Sequence, residues 1–317
     1  MDFTQLGSTG LEVSVAGLGC GGSSRLGLAQ GRRDEDAAAL VHAAFDQGVT
    51  FFDTAAAYGT ETALGMALAD LPRDEVVIAT KSQIVRDDQP LGADEIRSNL
   101  DQSLRRLGTD HVDVYMLHAV RPAHYAHALE LRDALDRERA AGKIRHIGIT
   151  ETAPFDPGHT MLAQATRDPS WAVVMVAFHM MHQTARAKVF PQTLANGIGT
   201  LAMFVVRAIF SRPERLRDAM RELAAAGEVP AELASSDEPL AFLVREHGAA
   251  SLTDAAYRYV RHEPGVDVVL FGTGNPDHLK SNIASILRPP LPEAAKQRLD
   301  ALFGHLEGVG LDLPSRS

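Results

Sequence analysis

The chain has 317 residues, 45% of them hydrophobic, with 41 acidic against 31 basic side chains and a formal net charge of -10. That balance opposes attraction to nucleic-acid phosphates, which need a cationic surface, so small molecules are the expected partners and nucleic acid is not. A single cysteine, Cys20, permits no internal disulfide, no apolar run approaches the roughly 20 residues that span a bilayer, and Asp2 stands where a leader carries basic residues. A reducing, cytoplasmic setting without membrane attachment is therefore expected.

Nothing resembling a Gly/Ser/Pro-rich linker divides the sequence, so residues 1–317 read as one domain, long enough to bury most of its apolar surface without disulfides. Phe3 to Val13, with Ser8-Thr9-Gly10 at its centre, reads as a hairpin. After it, short apolar runs alternate with helical patterns. Strands are expected at Val13–Gly17, Thr50–Asp53, Val76–Lys81, Val112–His118, Ile144–Ile149, Ala172–His179, Thr200–Val206 and Val266–Phe271. Helices are expected at Asp34–Gln47, Thr60–Ala69, Ala93–Arg106, Pro122–Ala141, Pro157–Thr166 and Gln183–Ala195. Between Arg212 and Leu252 lies an insertion with helical patterns of its own, of the kind that shapes a substrate mouth. Pro292–Leu306 reads as a final helix, and Asp312 onward as a frayed tail. Eight strand-helix units over this length point to a closed (β/α)8 TIM barrel, with an N-terminal β-hairpin cap and extra C-terminal helices.

Three of the strands end on chemically active side chains: Asp53 after Thr50-Phe51-Phe52, Lys81 after Val76 to Thr80, and His118 after Val112 to Leu117. Tyr58 follows the first. Chemistry in parallel barrels gathers at the carboxyl ends of strands, so these four residues read as one site. Taken singly, each has a plain alternative: a turn cap, an ion-pair partner, a core histidine. The run from Gly48 to Gly65, with Asp53-Thr-Ala-Ala-Ala-Tyr58 at its centre, resembles the signature of the aldo-keto reductases. Further matches run from Leu6-Gly-Ser-Thr-Gly-Leu11 to Asn282. The resemblance implies a catalytic tetrad of Asp53, Tyr58, Lys81 and His118. Tyr58 would be the proton donor, its phenol pKa lowered by the Lys81 ammonium; Asp53 would hold Lys81, and His118 would orient the carbonyl.

Gly17-Leu-Gly-Cys-Gly-Gly22 matches a dinucleotide-binding GxGxxG pattern, but Ser23 to Arg33 intervenes before the next helix. It reads instead as a glycine-rich first barrel loop that permits close approach of ligands. The better phosphate site is the segment Leu270 to Asn282, which enters a helix at Pro276, where backbone N–H groups favour anions. By resemblance, Gly272, Thr273, Gly274 and Asn275 lie near the phosphates and Asn282 contacts adenine. His278 stands where many NADP-preferring relatives carry an arginine, with Lys280 or Lys143 as possible substitutes. NADP(H) is the first expectation and NAD(H) the second.

The nicotinamide side departs from the family pattern, with Thr150-Glu151, Met175 and Phe178-His179, and Met203 to Arg207 where relatives carry other residues. Carboxamide contacts would then come from Thr150, His179 or backbone, and ring packing from Phe204 or Met203. Arg207 would meet the pyrophosphate or an anionic substrate, or pair with Glu151. His179 is read as a substrate contact and His182 as a surface residue. No metal-ligand spacing accompanies them. His42, His146 and Trp171 read as structural, and Cys20 as a packing residue or a reactive thiol.

The expected protein is an NAD(P)-dependent oxidoreductase acting on an aldehyde, ketone or aldose, or on the matching alcohol. One rival is a catalytically weak nucleotide-sensing or regulatory barrel, since potassium-channel β subunits of the family use the fold as a binding partner. A second is an enzyme using Lys81 for Schiff-base or proton-transfer chemistry without nicotinamide. The sequence carries no signal for oligomeric state.

Overall fold

The computed structural model describes residues 1–311, so the expected frayed tail from Asp312 lies outside the described residues. Strands β1 (Phe3–Gln5) and β2 (Glu12–Ser14) pair antiparallel as the expected hairpin. Barrel strands follow as β3 (Ala16–Gly19), β4 (Phe51–Asp53) and β5 (Val77–Gln83). A short antiparallel ribbon of β6 (Val85–Arg86) and β7 (Gln89–Pro90) comes next, and the barrel resumes with β8 (Val112–Val120), β9 (Ile144–Glu151), β10 (Val173–Ala177), β11 (Gly199–Met203) and β12 (Val268–Phe271). The eight barrel strands are parallel, each beside its chain neighbour, and β12 pairs with β3 to close the ring.

The first barrel strand begins three residues later than expected. Ser14 accounts for the shift: its hydroxyl accepts from Thr50 and Phe51 N–H and donates to the Ala16 carbonyl, leaving Val13 in the hairpin, opposite Thr4. Leu6, Leu11 and Val13 thereby pack with Phe51, Met116 and Met175, and the hairpin closes the barrel from below. Both faces of the strands are buried, which is why they read as short continuous apolar runs.

Between the strands run α1 (Asp34–Phe45), α2 (Glu61–Leu68), α3 (Ala93–Leu107), α4 (Tyr125–Ala140), α5 (Thr160–Ala165), α6 (Ala185–Lys188) and α7 (Phe190–Asn196). Helix α3 shows its punctuation plainly: Glu95 accepts from the Gly92 N–H at its start, and Gly108, at φ 65°, ends it. Helix α5 starts later than expected because the Asp156 carboxylate accepts from Thr160 and Met161 N–H. The helix expected over Gln183–Ala195 is two pieces, broken at Val189 just before Pro191. Strand β10 is also shorter than expected, because Phe178 to His182 form a reverse turn in which His179 and His182 exchange backbone hydrogen bonds.

The insertion carries α8 (Ala208–Ser211), α9 (Pro213–Ala225), α10 (Ala231–Ser235) and α11 (Phe242–Arg245). The chain then forms α12 (Leu252–Arg261), α13 (Pro276–Ile286) and α14 (Glu293–Phe303). Helix α9 lies beside Pro154, Ile209 and Gly308–Leu311, where it borders a cavity of about 500 Å³. No helix among the described residues is long and apolar enough to cross a membrane.

Candidate active site

Register puts the strand-borne residues at one end of the barrel. Asp53 ends β4, Lys81 and His118 lie on the neighbouring strands β5 and β8, and a 3-10 turn, Ala56–Tyr58, carries the tyrosine over them. Lys81 is fully buried. Its Nζ donates to Asp53 Oδ1 at 2.6 Å and to the Thr54 carbonyl at 2.9 Å, and lies 5.1 Å from the centre of the Tyr58 ring. The Tyr58 hydroxyl is 3.4 Å from His118 Nε2, with the two rings edge to face. The four residues singled out in the sequence therefore come together.

Electrostatics at this cluster departs from the sequence expectation in one respect. Burial pushes the Tyr58 phenol above its ordinary pKa, and the Lys81 ammonium opposes the shift without reversing it. The expected net lowering is absent because desolvation of a phenolate outweighs one neighbouring cation that Asp53 already partly neutralises. Lys81 itself is raised: burial disfavours its charge, but Asp53 and Tyr58 more than compensate. His118 is pushed down to about 3 by burial and then by the Lys81 charge, so its imidazole is neutral near pH 7. Its Nδ1 is buried with no partner.

The glycine-rich loop supplies close approach, as expected. A Cβ on Gly21 would stand 2.5 Å from the Tyr58 ring, so this glycine lies flat against the tyrosine. Opposite, Gly274 packs on the Gly27 backbone, where an added Cβ would come within 2.6 Å. Gly272, Thr273, Gly274 and Asn275 form the turn from β12 into α13. The Thr273 hydroxyl accepts from Asn275 N–H, and Asn275 caps the helix by accepting from Asp277 N–H. His278 and Asn282 sit one helical turn apart on α13, His278 exposed and Asn282 partly so. The turn, with its exposed Gly272 and an eleven-residue helix behind it, fits a dinucleotide's phosphates. Lys143 does not join them: it precedes β9 at the opposite barrel end and pairs with Asp101 and Glu138.

The other departures resolve as follows. Thr150 is buried, its hydroxyl accepting from Ala119 N–H. Phe204 follows β11 at φ 64°, a left-handed conformation rare for a bulky side chain, and the Arg207 guanidinium lies 4.4 Å from its ring centre. The alternative pairing of Arg207 with Glu151 is not found, because the Glu151 oxygens accept from Ala177 N–H and contact His159 Nδ1, each at 2.8 Å. Met175 fills the barrel interior. His179 is buried edge-on against Phe210. His182, expected at the surface, is fully buried, because the reverse turn tucks it between His159 and His179, where its Nδ1 accepts from Gly308 N–H. Cys20 is buried, and burial raises its thiol, so the packing reading holds. Three participants had no signal in the sequence reading: His159, at φ 53°; the Thr54–Thr60 pair; and Leu311, which packs on Ala153 and Ala177 beside Met203 and Phe204.

A closed barrel with a buried lysine–aspartate pair beneath a tyrosine and a histidine is the geometry the sequence resemblance implied, and the aldo/keto reductase family model matches residues 18–303. The chain belongs to the aldo/keto reductase family. It is 28% identical to a D-threo-aldose 1-dehydrogenase of a Pseudomonas species over 315 residues, covering 89% of this chain and 92% of the relative. An L-galactose dehydrogenase of Arabidopsis thaliana is 30% identical over 209 residues, 64% of each chain. A 6-dehydroglucose reductase of Novosphingobium aromaticivorans is 38% identical over 163 residues, 47% of this chain and 51% of the relative. An aldo-keto reductase from Bacillus halodurans, solved in holo form, shares the fold with a TM-score of 0.71 at 22% identity, over 96% of each chain. This aldo-keto reductase is thus an oxidoreductase built on a TIM barrel.

Proposed function

We propose that this aldo-keto reductase catalyses reversible, NAD(P)-linked interconversion of a carbonyl and the matching alcohol on a small polyhydroxylated substrate of the aldose type. The Tyr58 hydroxyl, 3.4 Å from neutral His118 and above the Lys81–Asp53 pair, carries this reading. With its pKa raised, Tyr58 keeps its proton near neutral pH and can donate it to a carbonyl oxygen. The phenolate left behind faces the Lys81 ammonium, which Asp53 and the Thr54 carbonyl hold in place. His118 shares the Tyr58 hydroxyl and orients the same carbonyl. A bound nicotinamide supplies the hydride in reduction and accepts it in oxidation.

Gly272, Thr273, Gly274 and Asn275 would hold its phosphates, with His278 and Asn282 along α13 toward the adenosine. Thr150, Phe204 and Arg207 would frame the nicotinamide end. NADP(H) is the first choice and NAD(H) the second, with exposed Lys280 as the cation on that stretch of helix and exposed His278 beside it. The sugar class is suggested by relatives that act on aldose, galactose and dehydroglucose.

The test is parallel titration with NADPH and NADH, then turnover with a panel of aldoses and aldehydes, for the native protein and Tyr58→Phe. Turnover should fall by orders of magnitude in Tyr58→Phe while cofactor affinity persists. Equal turnover in the two proteins would overturn the role of Tyr58; saturable binding without turnover of any carbonyl would favour the nucleotide-sensing reading.

A further inference from the structure

Tyr58 sits on a turn rather than on a strand, yet proton transfer needs its hydroxyl fixed to within a fraction of an ångström of the reacting oxygen. The turn's own hydrogen bonding is thin: the Tyr58 N–H donates to the Ala55 carbonyl, and Gly59, at φ 72°, ends the 3-10 segment. What closes it lies at its two feet. Thr54 and Thr60, six residues apart and both without exposed surface, face each other with their hydroxyl oxygens 2.9 Å apart.

Both feet stand on β5. Thr54 N–H donates to the Ala79 carbonyl, and the Thr54 carbonyl accepts from Lys81 Nζ. Thr60 leads directly into α2, whose first residue, buried Glu61, accepts from the Thr80 hydroxyl at 2.7 Å and from Arg106. The hydroxyl pair therefore joins two points already tied to residues 79–81, the stretch that ends in the lysine the tyrosine must face. The Tyr58 ring also packs against Gly21, while the side chain stays partly exposed.

We propose that the Thr54–Thr60 hydroxyl pair is a clasp that positions Tyr58 for proton transfer, and that these threonines are positioning residues rather than structural filler. The proposal rests on Tyr58 as the proton donor. Thr60→Val removes one hydroxyl without changing shape and leaves the other buried and unpaired, so it lowers both stability and kcat. Thr54→Val with Thr60→Val removes both partners, which relieves the unpaired group and returns stability close to native. If the pair were merely structural, activity would return with it. A clasp predicts that kcat stays about 10- to 100-fold low in the double variant, with KM nearly unchanged, and that Thr60→Ser, which keeps the hydroxyl, regains most of the loss.

A second readout does not depend on turnover. The chain has five tyrosines, and in protein labelled with 3-fluorotyrosine the Tyr58 resonance is assigned by its absence in Tyr58→Phe. Fluorine NMR should show one sharp Tyr58 line in the native protein and a broadened or doubled line in the double valine variant. An unchanged line together with native kcat at native stability overturns the clasp. Absence of turnover in the native protein, with the line still broadened in the variant, removes the proton-donor reading and leaves the clasp as a device that orders the tyrosine.

Discussion

Lys81 and Asp53 meet at 2.6 Å inside the barrel, where Lys81 has no exposed surface at all. A pair so placed is costly to break from one side, since the survivor is a charge without a counterion in a medium that cannot solvate it.

Asp53→Asn is accordingly expected to destabilise the fold by about 3–5 kcal/mol in urea unfolding. Combining it with Lys81→Met should recover part of that loss, while turnover stays absent in both. A single variant as stable as the native protein would show that water reaches the pair.

The contact between Gly21 and Tyr58 can be tested separately. Gly21 lacks the left-handed backbone that would itself penalise alanine, so Gly21→Ala acts through its Cβ, which would stand 2.5 Å from the ring. Displacing the ring by about 1 Å should lower kcat on the order of 100-fold, with circular dichroism and Tm close to native. Unchanged kcat would mean the loop backs away freely.

Acid stability should report the histidines behind the site. His179 and His182 are fully buried, and desolvation pushes them down to about 3 and about 2 from 6.5. Their folded pKa values lie below the unfolded ones, so the unfolded chain binds more protons between these limits. The stabilisation is complete above pH 6.5 and drains away as pH falls toward 3. Each depressed histidine removes about 1.4 kcal/mol per pH unit well below 6.5. Urea unfolding at pH 7 and pH 5 should show a smaller loss for His179→Phe than for the native protein; equal losses would place His179 in contact with water.

Arg186 offers a change remote from the chemistry. Its guanidinium donates to Glu263, Asp300, Gln183 and the Tyr259 hydroxyl, joining α6, α12 and α14 behind β10. Glu263 is almost wholly buried, so Arg186→Met should cost about 3 kcal/mol or more. Cofactor affinity and kcat of the folded fraction should be native; a large change in either would tie this network to the site.

The barrel and its catalytic end were legible because parallel strands buried on both faces leave short apolar runs, and because Asp53, Lys81 and His118 each close one. Tyr58 was legible only through the wording around it. His182 misled because polarity along the chain says nothing of a reverse turn that folds a histidine inward. Leu311 was invisible for a related reason: its partners Ala153 and Ala177 lie more than a hundred residues away, and no periodicity records a contact at that range. The sign of the Tyr58 shift was missed because a neighbouring cation is readable from motif order, whereas the desolvation opposing it depends on the depth of burial.

The hairpin floor has a kinetic meaning. With Leu6, Leu11 and Val13 sealed against Phe51 and Met116, the barrel cannot act as a passage. Among the described residues, the way to Tyr58 is therefore from the strand-end side, the side that also carries the glycine turn before α13. On the function proposed above, substrate and cofactor would share that side, and each would have to clear the other's path. The pace of repeated turnover would then belong as much to that clearance as to the proton moved.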